Sequence, residues 1–230
     1  MIARALSIVA VAALLAGCAE QRFSRDAYAR ALHSAPGAAQ PSRIIAREIE
    51  KLQRAREVGR SSALSSFASS DATLLPGGEL AASWTPKLVW MSCDGRFAVS
   101  DGRFETADGK VGEYVTSWRR NLSGDYDWLQ TMATLDDPQP PKRPEQPAPQ
   151  PGEIVVDGLV SADGRVAHCK TPPTALPPAA DGMTEMRSRD RTLAWRWNAD
   201  GAARNFEVMA WTADGWAKVM DHSWPAQEQE

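Results

Sequence analysis

Residues 87–132 read KLVWMSCDGRFAVSDGRFETADGKVGEYVTSWRRNLSGDYDWLQTM. Short apolar or aromatic runs alternate with Asp-Gly pairs at Asp94-Gly95, Asp101-Gly102 and Asp108-Gly109, and Gly124-Asp125 closes the series. Such pairs mark tight turns between alternating strands, so the stretch predicts an antiparallel meander whose strands each bury one face. Gly102 also fits a bulge ahead of Phe104. Two-residue periodicity puts Leu88, Trp90 and Ser92 on one side. It groups Tyr114, Thr116 and Trp118, and likewise Tyr126, Trp128, Gln130 and Met132. Trp90, Tyr114, Thr116, Trp118, Trp128 and Gln130 are therefore candidate pocket residues, since apolar walls with a few directional groups suit a small ligand. The alternative is that the same rings fill a core.

Working backwards, Pro41-Ser42 opens a helix with Ile45, Ile49 and Leu52 as its apolar stripe and Ile44 widening it. Gly59 breaks the helix, and Ser61 or Ser62 caps a second one with Leu64 and Phe67 inward. An extended segment, Asp71 to Leu75, ends at Pro76-Gly77-Gly78. A long amphipathic helix, a shorter one running into FASSDATLL (67–75), then VWMSCDG (89–95) and YVTSWRR (114–120), resembles the NTF2-like superfamily, in its DUF4440 and SnoaL-like branches. The resemblance spans residues 41–135. It implies an α+β fold: a cone of N-terminal helices packed on a curved antiparallel sheet around an internal cavity, here with a C-terminal β-meander extension. Ketosteroid isomerases of that superfamily place a general-base Asp shortly after the DAT segment. Leu74, Leu75, Pro76 and Gly77 stand there instead.

At the amino terminus Arg4 precedes a 12-residue apolar run, Ala5 to Ala16. That is too short for a bilayer span and right for the apolar part of a signal peptide. Leu15-Ala16-Gly17-Cys18 then resembles the lipobox of bacterial lipoproteins. The resemblance implies cleavage before Cys18, lipidation of Cys18, and an outer-membrane anchor facing the periplasm, because no Asp follows the cysteine. Of three cysteines, Cys93 and Cys169 remain as a disulfide pair for an oxidising compartment. Closing a loop of about 75 residues is worth about 4 kcal/mol. His168 beside Cys169 leaves a tetrahedral metal site one ligand short, so no metal is expected.

Downstream, 18–40 reads as a tether and 136–152 as a proline-rich linker. Residues 153–170 read as a strand pair docked on the 41–135 domain by the disulfide, with Glu153–Val160 as its first strand. A second linker covers 171–190. A three-stranded meander follows at 191–224, in which Trp195 and Trp197 share one face and Phe206, Val208 and Ala210 share one. Ala-Asp-Gly occurs four times, at irregular spacing, so it is hairpin chemistry and no repeat.

Net charge is −3, and −4 once residues 1–17 are removed with Arg4. This excludes nucleic acid as the main partner. No phosphate loop, HExxH, paired CxxC or GxSxG elbow is present, and three histidines do not make a triad. No catalytic residue and no cofactor is assigned. Three functions follow. The first is a noncatalytic lipoprotein, membrane-bound through its lipid, that binds a small apolar or aromatic ligand. The second is an envelope interaction or assembly module, homodimeric or with a partner, using Trp195, Trp197, Trp211 and Trp216. The third is a cryptic hydrolase or isomerase, for which His222 beside Asp221 is the one histidine near a strand end.

Overall fold

The computed structural model describes residues 38–79, 81–141, 161–170, 172, 174–199 and 203–225. These belong to one compact unit, Ala35–Glu230. Cys18, the tether's start and the Glu153–Val160 segment lie outside the described residues.

Two helices open the unit, α1 (Pro41–Val58) and α2 (Arg60–Ser66), followed by β1 (Ala68–Leu74). The meander is β2 (Ser83–Met91), β3 (Phe97–Glu105), β4 (Val111–Arg120) and β5 (Tyr126–Leu135). Then come β6 (Asp163–Val166), β7 (Thr184–Arg187), β8 (Leu193–Asn198), β9 (Ala203–Thr212) and β10 (Gly215–Pro225). Glycines with φ of 64°, 81° and 92° at Gly95, Gly109 and Gly124 make the meander's turns.

The strands form two sheets. A six-stranded one has the order β1-β5-β4-β3-β2-β6, and a four-stranded one β10-β9-β8-β7. In the first, β1 pairs parallel to β5 and β6 parallel to β2, and the remaining pairs are antiparallel. Val99, Val115, Leu129 and Met132 from the first sheet share one core with Leu193, Trp195, Phe206, Val208 and Met220 from the second. On the opposite face of the first sheet, Ile44 of α1 and Phe67 pack on Val89, Met91, Ala98, Trp118 and Trp128. The architecture is three layers: helices, a mixed sheet and a second sheet.

This overturns the NTF2-like cone. Helix accounts for 15% of the described residues and strand for 49%, in two sheets rather than one curved sheet wrapped on helices. The C-terminal meander is no appendage. It packs on one face of the main sheet against residues of β2 to β5, which occupies the side where a lumen was expected. It also has four strands, because β7 lies within the stretch read as a linker.

Three local expectations are corrected with it. Asp101-Gly102 is no turn but the middle of β3, where Gly102 pairs with Pro86 and Tyr114. A Cβ on Gly102 would meet the Thr85 carbonyl oxygen at 2.2 Å, so close backbone approach requires glycine there. The register shift falls on the other strand, between Pro86 and Leu88. The second concerns Asp163–Val166, which is β6, a strand added parallel to the edge of β2.

The third concerns α1. Its buried positions are Ile44, Glu48 and Lys51, while Ile49 is 48% exposed. The helix is turned so that an acid and an amine enter the interior. The aromatic residues facing α1 make that rotation favourable, as follows.

Candidate functional site

The six candidate pocket residues do not meet. Tyr114, Thr116, Trp118 and Trp128 face the helices, whereas Trp90 and Gln130 face the second sheet. Gln130 is displaced by a bulge. Trp118 pairs with Trp128 and Ser117 with Gln130, leaving Leu129 as the extra residue that reverses the alternation.

On the helix side the space is filled. Trp118 is fully buried, and its indole N–H donates to Ser100 Oγ at 2.9 Å. Ser100 Oγ donates to Glu48 Oε1 at 2.8 Å, and the Tyr114 hydroxyl reaches the same oxygen at 3.4 Å. Lys51 Nζ stands 3.1 Å from Glu48 Oε2, in an ion pair whose angles leave that oxygen without a hydrogen bond. The ammonium also sits 4.8 Å from the Trp84 ring centre and 4.9 Å from that of Trp118. Two indole faces and one carboxylate thus compensate a buried cation. Burial raises the Tyr114 hydroxyl well above its ordinary range, and the Glu48 and Asp101 carboxylates push it further the same way. It is a neutral hydroxyl, not a base. Lys51 and Glu48 were missed from sequence because the helix face was judged by its isoleucines alone.

On the sheet–sheet side Gln130 is the polar centre. Its Oε1 accepts from Trp195 Nε1 at 3.1 Å, and its amide meets Met186 Sδ at 3.5 Å. His222 on β10 enters the same interface and is half-buried. Its Nε2 lies 3.3 Å from Asp101 and its Nδ1 3.8 Å from Glu113. Asp221, its sequence neighbour, points outward to Lys218. No hydroxyl nucleophile adjoins the imidazole in these contacts, so the arrangement bridges sheets rather than forming a triad.

Cys93 and Cys169 lie at disulfide distance, with Cα atoms 5.1 Å apart. The pair joins the end of β2 to the residues after β6. Cys93 N–H donates to Thr192 Oγ1 and Asp94 N–H to Asp190, so the turn between β7 and β8 is fastened at the same point. Burial raises the Asp94 carboxyl, against the lowering effect of hydrogen bonds from Ser92 and the Arg96 amide. Among the described residues no group of three His, Cys, Asp or Glu is placed to hold a metal ion, and no helix is long and apolar enough to cross a membrane.

A groove of about 850 Å³ lies along the outer end of β2. Ser83, Trp84, Thr85 and Lys87 form one wall, Arg103, Phe104 and Val111 the floor, and Gln139, Pro140 and Pro141 the far side. It lies where β6 pairs only with Leu88–Met91, so that among the described residues the earlier half of β2 has no strand on its outer side. Pro86, the bulge at Lys87 and the lysine itself blunt that edge against another strand. Arg103 is held by Asp136 and Glu113, while Lys87 has no ion pair among the described residues. A smaller depression of about 420 Å³ lies on α1, but Arg47, Glu50, Arg54 and Glu57 lining it pair among themselves. The sequence signal for the larger groove was Pro86, a proline inside a strand pattern.

Comparison with known proteins finds no family model and no curated protein that matches the chain.

Proposed function

We propose that the chain is a noncatalytic binding lipoprotein of the cell envelope, held at the outer membrane through lipid on Cys18 and facing the periplasm. It takes a small apolar or aromatic ligand in the β2 groove. The observation that carries this reading is the groove itself. Its volume suits a small molecule, and its lining combines the apolar surface of Val111, Pro140 and Pro141 with the hydroxyls of Ser83 and Thr85, the Gln139 amide and the Lys87 ammonium. The signal-like run and the lipobox resemblance support the address. The Cys93–Cys169 bond suits an oxidising compartment.

Titration of the full chain in detergent with N-phenyl-1-naphthylamine tests the site. Thr85→Trp, which fills the groove, lowers affinity by an expected tenfold or so, about 1.4 kcal/mol. Probe binding unaffected by that substitution sinks the reading. Native mass spectrometry of the same material then reports any ligand retained from the cell.

A further inference from the structure

The outer face of the four-stranded sheet carries a feature unrelated to the groove. Arg196 on β8 lies on that face yet is only 2% exposed. What covers it is residues 174–180, TALPPAA, which run over the sheet without strand pairing. Arg196 donates through Nη1 to the Pro178 carbonyl at 3.4 Å and through Nη2 to the Pro177 carbonyl. Trp216 on β10 donates its indole N–H to the Thr174 carbonyl at 3.3 Å. Trp211 stands edge-on to Trp216, with ring centres 5.8 Å apart.

Within the segment Leu176 and Ala179 are half-buried, while residues 174, 175, 177, 178 and 180 are exposed. A period of three is that of the polyproline II helix, which turns every third side chain to one side and leaves its carbonyls free to accept. Side-chain donors are the means by which a protein reads such a backbone, because prolines offer no N–H and the helix has no internal hydrogen bonds. Here an indole and a guanidinium supply them, with aromatic surface alongside.

The guanidinium is held in place for this task. Glu185 and Glu207, directly opposite Arg196 on the two neighbouring strands, accept from it at 2.6 and 2.9 Å. Burial raises both carboxyls, but Arg196 together with Arg187 at Glu185 and with Lys218 at Glu207 outweighs it, so both lie below their ordinary range.

We propose that this face is a docking surface for proline-rich segments in polyproline II conformation, with the chain's own residues 174–180 as the resident ligand. A second segment of the same chemistry binds when the resident one is displaced, so the strap is autoinhibitory. Trp216 and Arg196 are the reading residues.

The test uses a fluorescein-labelled peptide, PPTALPPAA, and the full chain in detergent, with anisotropy as the readout. In a variant carrying Leu176→Ser, Pro177→Gly and Pro178→Gly the peptide binds, and the unaltered chain binds it at least about tenfold more weakly, because its own strap competes. Adding Trp216→Phe to the strap variant weakens binding about threefold to tenfold, the effect of one lost hydrogen bond. A peptide with alanine at every proline does not bind. A folded strap variant with no anisotropy change at about 1 mM protein, or equal binding of the alanine peptide, overturns the proposal.

Should the strap variant not fold, the indole N–H resonance of Trp216, identified by its loss in Trp216→Phe, is followed in the unaltered chain. Its displacement by about 5 mM peptide supports docking, and its constancy overturns it.

Discussion

The two sheets solve opposite problems. In the six-stranded sheet, β4 and β5 are covered on both faces, by helices on one and by the second sheet on the other, so positions 114–118 and 128–134 are all buried. In the four-stranded sheet only the inner face enters a core, and the outer face is a row of alternating charges running Glu185, Arg196, Glu207, Lys218 and Asp221. The first sheet therefore needs each buried polar atom paired inside, and its failures are costly. The second pairs its charges with each other and opens them to solvent only at the Lys218–Asp221 end, where failures are mild. The contrast teaches that the polar residues of a doubly covered sheet report on the layer opposite: Thr116, Ser117 and Gln130 pair across strands or across the interface, and Glu48 and Lys51 are the answer from the helix.

Substitutions on the two sheets should separate accordingly. Trp118→Ala removes a fully buried ring, the Ser100 hydrogen bond and one wall around Lys51, and urea denaturation should show a loss of about 4 to 5 kcal/mol. Lys51→Met leaves the Glu48 carboxylate buried without its counter-ion and should lose about 3 kcal/mol. The double change with Glu48→Gln should recover most of that. If the double variant is no more stable than the single one, the ion pair is not the unit that matters. On the four-stranded sheet, Lys218→Met strips one exposed end of the charge row and should change stability by less than about 1 kcal/mol. A loss as large as that from Lys51→Met would erase the distinction between the sheets.

The smallest effect is expected at the margin of the first sheet. Asp71 on β1 pairs with Arg119 on β4, whose hydrogen bond, with one from Ser69, lowers the carboxyl from 3.8 to about 2. A carboxyl lowered in the folded state stabilises above its unfolded value and loses that contribution as pH falls from about 4 to 2. The pair is largely solvent-exposed, so Asp71→Asn should remove well under 1 kcal/mol at pH 7 and flatten the acid limb of the stability curve slightly. An unchanged acid limb would show that solvent screens the pair completely.

The meander from 87 to 132 was legible in outline because its Asp-Gly and Gly-Asp turns and its two-residue alternation are local signals. Where a distant partner sets the answer, local pattern misled. Asp101-Gly102 has the composition of a turn, yet Gly102 is required by a neighbouring carbonyl that only the folded sheet brings near. Gln130 follows the alternation of Trp128 until a bulge, unmarked by glycine, reverses it. Ile49 has the polarity of a core residue and Lys51 that of a surface residue, and the pair exchange places because Trp84 and Trp118 wait on the sheet. The Cys93–Cys169 pairing was open to arithmetic on three cysteines. The groove was not, since it depends on where β6 stops along β2.

The bond between Cys93 and Cys169 also has a mechanical meaning. A pull applied to the two ends of the chain passes from residue 93 to residue 169 through sulfur, so β3, β4, β5 and all else between them carry no tension. That sequence separation of 76 holds back a contour length of roughly 250 Å at about 3.4 Å per residue. Under force the protein should extend first by the length of its unlooped parts, and gain the hidden length only after a reductant has cut the bond. The inner strands of the six-stranded sheet are thus shielded from any load applied to the two ends of the chain, and the same covalent loop makes that load path a readable fingerprint in single-molecule stretching.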